Sequence, residues 1–329
     1  MTHKQHPIGT DFTPASTADD VLVGVDLVGK TAIVTGGHAG IGLEVTRALA
    51  KAGARVILGA RDPSYASKII ANIRGVEVAQ LDLIDPTSID NFSKRQIESC
   101  DAVHMLINCA VACGGPERDV RGYETQFATN HLGHFQLTLA LLPLLSASFG
   151  ARVVSVSSGA HRFGSIRWND LQSTKGFNSL AAYAQSKVAN VLFAVELDRR
   201  WESMNIRGFA VHPGVVATTK LSQAAGFIAL KRMELIDEDG HPIIDPAAGK
   251  KTPAQAASTI VFAAASPLLI GFGGVYLKDN DISPLIEDGG SFLSNAIPAE
   301  AAPHAIDPEA ARRLWSVSKA LLIANPAPD

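Results

Sequence analysis

Apolar residues follow two alternating patterns along this chain. Short runs that are apolar almost throughout lie at 31–36, 55–60, 77–82, 102–109, 151–157, 207–212 and 273–278. Ala102-Val103-His104-Met105-Leu106-Ile107 shows the type, with His104 its one polar member, read as a satisfied core histidine. Strands this apolar are covered on both faces. Between them the period changes: Ile41, Val45, Ala48 and Leu49 fall at i, i+4, i+7 and i+8, one face of a helix. The alternation predicts an α/β fold, a single-domain, doubly wound parallel sheet of about seven strands.

The pattern also marks what lies outside the sheet. Residues 1–26 form a polar N-terminal arm, and 27–280 carry the strand–helix alternation. Within it, 220–250 loses its period and gains charge, as in Lys231-Arg232-Met233-Glu234 and Asp237-Glu238-Asp239-Gly240. This stretch reads as a long loop with short helices, a lid whose Phe227, Ile228 and Leu230 either form its apolar inner face or simply pack. From Asp281 to 329 a C-terminal extension is rich in Pro and Ala. Asp307-Pro308 opens its final helix as N-cap and first helical residue. Leu314, Trp315, Ser318 and Leu321 give that helix a mostly apolar stripe.

Composition narrows the class. A net charge of −3 over 329 residues lacks the basic excess of a nucleic-acid binder. The apolar runs 137–145 and 259–276 are interrupted by Pro143 and Pro267, and neither offers the roughly 20 apolar residues of a membrane span. The N-terminus has no apolar signal-peptide core. Cys100, Cys109 and Cys113 make no disulfide framework and no metal site; reduced thiols in a cytoplasmic protein are expected.

Three segments carry chemistry. Thr35-Gly36-Gly37-His38-Ala39-Gly40-Ile41-Gly42 joins the first strand to a helix. Unpaired N–H groups at such a helix start, with the helix dipole, attract an anion, and glycines let the backbone approach it. The spacing is T-G-x-x-x-G-x-G, neither G-x-G-x-x-G nor the GK[ST] ending of a P-loop. The fifth strand ends in Ser157 and Ser158, at the edge where doubly wound sheets bind ligands. Tyr183 and Lys187 lie four apart on a helical stretch, so both can reach one ligand. A nearby ammonium lowers the pKa of a phenol, ordinarily about 10, towards a working value. A hydroxyl such as that of Ser158 stabilises an oxygen on which charge develops.

Together these segments resemble the short-chain dehydrogenase/reductase family. Ser157-Ser158-Gly159-Ala160-His161, the later Asp170-Leu171, Gly274-Val275-Tyr276 and Arg313-Leu314-Trp315 resemble its retinol-dehydrogenase-like branch. The resemblance covers about residues 26–320, with gaps in 220–250. It implies a Rossmann-type catalytic domain over 27–280 with a substrate lid. The implied activity is an alcohol dehydrogenase or carbonyl reductase, moving a hydride between NADP(H) and an apolar small-molecule carbonyl or alcohol. Tyr183 would be the acid/base, Ser158 would hold the substrate oxygen, and Lys187 would bind the ribose. Asn130, within a long helical pattern, would hold a water beside Lys187. The cofactor would meet Thr35, Gly36, Gly40, Ile41 and Gly42, then Asp82 and Leu83 near the adenine, Asn108 and Ala110, Tyr183 and Lys187. Pro213, Gly214, Val216 and Thr218 would line the nicotinamide.

Two features adjust that implication. The second strand ends in Ala60-Arg61 where an acid would grip the ribose diol, so a 2′-phosphate is favoured: NADP rather than NAD, with Asp62 offsetting in part. Cys109 and Val111 replace the Asn and Gly usual after Asn108 and Ala110. A non-catalytic dinucleotide sensor or scaffold is the first alternative. A sugar-nucleotide epimerase is the second, although Ala39 occupies its middle glycine. Substrate identity and a homo-oligomeric state stay open.

Overall fold

A computed structural model describes residues 4–286 and 297–324; the remaining parts of the arm and of the C-terminal extension lie outside the described residues. Seven parallel strands form the sheet: β1 (Thr31–Thr35), β2 (Arg55–Ala60), β3 (Val76–Gln80), β4 (Met105–Asn108), β5 (Arg152–Val156), β6 (Arg207–His212) and β7 (Val275–Lys278). A two-residue β8 (Asp281–Ile282) pairs antiparallel with β7, and the order is 3-2-1-4-5-6-7-8. The order reverses between β1 and β4, the switch point at which such sheets bind ligands. β3 and β4 are shorter than the apolar runs that predict them, because Leu81, Asp82 and Ala102–His104 continue those runs as connections.

Alternation within each strand sorts the core into two layers, since neighbouring side chains point to opposite faces. Val34, Val56, Ile107, Val154 and Phe209 meet Val45 and Leu49 of the Gly40–Lys51 helix and Ile260 and Val261 of the Pro253–Ala265 helix. Ile33, Ile57, Leu106 and Val153 face Phe92, Phe135, Phe193 and Trp315. A one-residue slip would exchange these faces, so the register is strongly specified. Among the described residues no helix is long and apolar enough to cross a membrane.

The described parts of the arm and of the C-terminal extension are built into this core. In the arm, Gln5 is buried; its amide donates to the carbonyls of Tyr276 and Ser283, each at 2.7 Å, and accepts from Tyr276 N at 2.9 Å. Thr17 caps a short helix, Ala18–Val21, whose Ala18 and Val21 join the first layer. At the other end, Asp307 accepts from the N–H groups of Glu309 and Ala310 and so caps the helix Pro308–Ala324. Trp315 of this helix sits against Phe135, Phe193 and Trp201, with centroids 5.0, 5.9 and 5.8 Å away. Truncating such an aromatic leaves a cavity as well as losing its transfer energy. Trp315→Ala is therefore expected to cost roughly 3–5 kcal/mol, read as a lowered urea midpoint.

Candidate active site

The first part of the site is the turn after β1. Gly36 has φ +67° and Gly40 φ +51°, a region that side chains avoid. A Cβ on Gly36 would stand 3.0 Å from Ala110 Cα, and one on Gly42 2.6 Å from the Gly36 carbonyl oxygen. Gly37, not singled out by the spacing, is equally constrained: its Cβ would meet Thr46 Oγ1 at 2.3 Å. The turn is thus folded as tightly as backbone allows. The Gly40–Lys51 helix begins at Ala39 with no side-chain cap, so its first N–H groups remain for an outside acceptor. Arg61, exposed at the end of β2, has no carboxylate partner among the described residues, and Asp62 is occupied in accepting from Tyr65 N at 3.0 Å. An uncapped helix start, a glycine cradle and an unpaired guanidinium fit a phosphate-bearing dinucleotide.

Thr35 and Asn108 stand behind that surface. Thr35 is fully buried, and its Oγ1 accepts from Cys109 N at 2.9 Å and Ala110 N at 3.0 Å. Asn108 is buried and donates to Thr138 Oγ1 at 3.2 Å. Their side chains therefore shape the wall from inside. Leu83 is buried, and Asp82 accepts from Ile84 N, so its carboxylate also organises its own turn. Cys109 packs against the first core layer while Val111 is exposed.

Asn130 does not lie in a regular helix. Thr125–Phe127 is followed by a π-helical turn, Ala128–Gly133, before α-helix resumes at His134–Ala140. Such an insertion re-aims a side chain, and they concentrate at functional sites. Asn130 uses it to clasp the loop after β4: Oδ1 accepts from Ala112 N at 2.7 Å and Nδ2 donates to Ala112 O at 3.0 Å. Nδ2 also donates to Ser186 Oγ at 3.1 Å, on the helix of Tyr183. His134 closes the circuit. Its Nδ1 lies 3.1 Å from Asn130 O, which can only accept, so Nδ1 carries the proton. Nε2 then accepts from the Thr35 hydroxyl at 2.9 Å.

Ser158, Tyr183 and Lys187 converge at the carboxyl edge of the sheet. The last two come from the helix Ser179–Trp201, capped by Asn178 accepting from Ala181 N. The Ser158 hydroxyl lies close enough to the Tyr183 phenol to act on its ionisation. Lys187 Nζ lies 5.4 Å from the centre of the Tyr183 ring and donates to Val156 O at 3.0 Å. The electrostatics depart from the expected activation. Burial dominates and pushes the Tyr183 phenol up to about 12, against the opposing hydrogen bond from Ser158. Burial also brings Lys187 down to about 8. The ammonium is held against the ring and a carbonyl, so it does not lower the pKa of the phenol.

Two histidines with no role expected from the sequence hold the serine loop. His161 donates from Nδ1 to Ser158 O at 2.7 Å and accepts at Nε2 from Ala302 N at 3.1 Å, tying the loop to the C-terminal extension. Gly159 N donates to His212 Nδ1 at 3.1 Å. The advance signals were the place of His161 in the Ser157–His161 motif and that of His212 just before Pro213. Pro213, Gly214 (φ +86°) and buried Val216 follow β6, leading to exposed Thr218. The stretch 220–250, expected to form a lid, contains the helices Lys220–Gln223 and Phe227–Arg232. Of its expected inner face only Leu230 turns inward, packing with Ala217, Leu235 and Ile236. Phe227 and Ile228 are 54% and 78% exposed, which corrects their assignment. Asp237, Asp239 and His241 cluster on the lid as a turn, Asp237 Oδ1 accepting from Asp239 N and His241 N.

Burial holds His131 and His212 at about 3 and His134 and His161 at about 4, all below the usual 6.5. Their folded-state pKa values are depressed, so the unfolded chain takes up protons first as pH falls below about 6.5. Each group then removes up to about 1.4 kcal/mol per pH unit until its folded-state pKa is reached. Denaturant midpoints are expected to fall steeply between about pH 6 and 4.5, and to fall less in His131→Gln.

Comparison with known proteins shows the family. Residues 30–226 match the family described as short chain dehydrogenase. The chain is 38% identical over 309 residues to a probable oxidoreductase of Streptomyces lividans, covering 92% of this chain and all of that one. It is 36% identical over 305 residues to mouse retinol dehydrogenase 12, covering 91% of this chain and 88% of that one. A crystal structure of an uncharacterised protein from Mycobacterium paratuberculosis superposes with a TM-score of 0.69 at 30% identity, covering 96% and 100% of the two chains. A Pseudomonas aeruginosa NADP complex shares the fold, with a TM-score of 0.58 at 23% identity over 77% of this chain and 95% of its own. The glycine cradle, the switch point beside it and these relatives place the chain in the short-chain dehydrogenase family, as a retinol-dehydrogenase-like oxidoreductase.

Proposed function

We propose that the protein is an NADP(H)-dependent alcohol dehydrogenase or carbonyl reductase acting on an apolar small molecule. The observation that carries this reading is the Tyr183–Ser158 hydroxyl pair beside Lys187 at the sheet edge that also holds the glycine turn. The nicotinamide, when bound, supplies or accepts the hydride. Gly36, Gly40, Ile41 and Gly42 bind its phosphates, and Val216 and Thr218 orient the ring. Ser158 donates to the substrate oxygen as negative charge grows there. Tyr183 gives that oxygen its proton. A phenol that keeps its proton well above neutrality is poised as an acid, which favours carbonyl reduction at pH 7. Lys187, still largely protonated at pH 7, holds the ribose and returns a proton to Tyr183 through water at Asn130. Similarity to proteins named for retinol, a largely apolar alcohol, supports the substrate class. Unpaired Arg61 supports NADP over NAD.

Tyr183→Phe is expected to lower turnover by about 10²–10⁴ while NADPH binding, followed by nucleotide fluorescence, is retained. Unchanged carbonyl reduction would refute the proton-donor role. Reduction should also decline as pH passes about 8 and Lys187 loses its charge. In Lys187→Arg, whose guanidinium stays charged, the residual kcat/KM should show no such limb.

A further inference from the structure

The mouth between the ends of β1 and β2 is ringed by basic side chains from three separate segments. Arg61 directly follows β2, His38 lies in the glycine turn, and Lys220 is the first helical residue of the lid. Tyr65 gathers two of them: the His38 ring meets it edge-on at 6.0 Å, and the Lys220 ammonium lies 5.7 Å from its ring centre. The lid reaches the turn itself, because a Cβ on Gly40 would stand 3.4 Å from the Thr219 methyl.

Among the described residues neither Arg61 nor Lys220 has an ion-pair partner, and the adjacent carboxylate, Asp62, is held by Tyr65 N. His38 Nδ1 is buried with no hydrogen-bond partner. Burial, then the charges of Lys220 and Arg61, hold the His38 pKa below its usual value, against the pull of Asp62. A lone lysine on a lid is ordinarily just a solvated charge. Here it faces two other basic groups, an arrangement that is costly until an anion joins it.

We propose that Lys220 and His38, with Arg61, bind the 2′-phosphate of NADP(H), and that this phosphate fastens the lid to the glycine turn. The inference rests on the NADP reading above and extends it from the sheet to the lid. Arg61 alone would select NADP without touching the lid; Lys220 makes lid position depend on the cofactor's phosphate. Leu230, Leu235 and Ile236 pack on Ala217, directly after Val216, so an anchored lid is continuous with the stretch expected to line the nicotinamide.

Binding of NADPH, NADH and adenosine 2′,5′-bisphosphate to the full chain tests this, with limited chymotrypsin digestion reporting on the lid at exposed Phe227. Lys220→Ala should weaken NADPH and the bisphosphate by about tenfold or more, the loss of one charge-assisted contact, and leave NADH affinity unchanged. Lys220→Arg should restore much of it. NADPH should slow cleavage at the lid more than NADH does, and Lys220→Ala should abolish that difference. Equal losses for NADPH and NADH would assign Lys220 to the shared pyrophosphate and overturn the proposal. So would unchanged affinity in Lys220→Ala where Arg61→Ala loses the NADPH preference, and in that case the NADP reading survives. If the unaltered protein binds NADH as tightly as NADPH, both fail.

Discussion

Parallel strands that stop at a common edge leave backbone groups unpaired, and here the side chains that meet this demand are those that shape the site. Thr35 Oγ1 takes the N–H groups of Cys109 and Ala110, Asn130 takes both backbone groups of Ala112, and Lys187 donates to Val156 O. Buried donors and acceptors cost free energy when unmet, so each contact is strongly enforced. His134 links two of them, bonded to Thr35 on one side and to the Asn130 carbonyl on the other. It can do so only as a neutral ring with its proton on Nδ1. The glycine turn, the π-helical turn and the Tyr183 helix are consequently held as one polar unit.

Burial sets the chemistry of that unit as much as its geometry does. A charged lysine four residues from a tyrosine suggests a phenol shifted down, but distance and direction decide. The Lys187 ammonium faces the ring and a backbone carbonyl, while desolvation acts on the whole phenol and wins. The same effect lowers Lys187 and keeps His161 and His212 neutral, where a charged ring would lose the bond it accepts from a backbone N–H. In the proposed reaction, proton donation by Tyr183 then needs no prior activation; abstraction would.

The C-terminal extension is structurally part of the site. Ala302 N donates to His161, whose opposite nitrogen holds Ser158, and a Cβ on Gly159 would lie 2.4 Å from the Pro298 carbonyl. Trp315 meanwhile packs on Phe193, in the helix that presents Tyr183 and Lys187. The serine loop and the helix of Tyr183 and Lys187 are therefore braced from the same distal segment. The lid, by contrast, rests on a small cluster of its own and leaves Phe227 and Ile228 to solvent.

What the amino-acid order determined by itself was everything governed by local period and local chemistry. Apolar runs marked the seven parallel strands because both sheet faces are covered. Gly36, Gly40 and Gly42 were legible because backbone conformation and close approach exclude a Cβ. The Asp307-Pro308 helix start was legible because a cap acts within three residues. Tertiary structure alone decided what depends on neighbours distant in the chain. It made a π-helical turn of the helical pattern around Asn130, since both backbone groups of Ala112 needed partners. It set His161 and His212 behind Ser158, turned Phe227 and Ile228 outward, and brought Lys220 to Tyr65 from more than a hundred residues away. It also reversed the expected direction of the Tyr183 shift, because desolvation depends on everything packed around a group and not on which residue stands four places along.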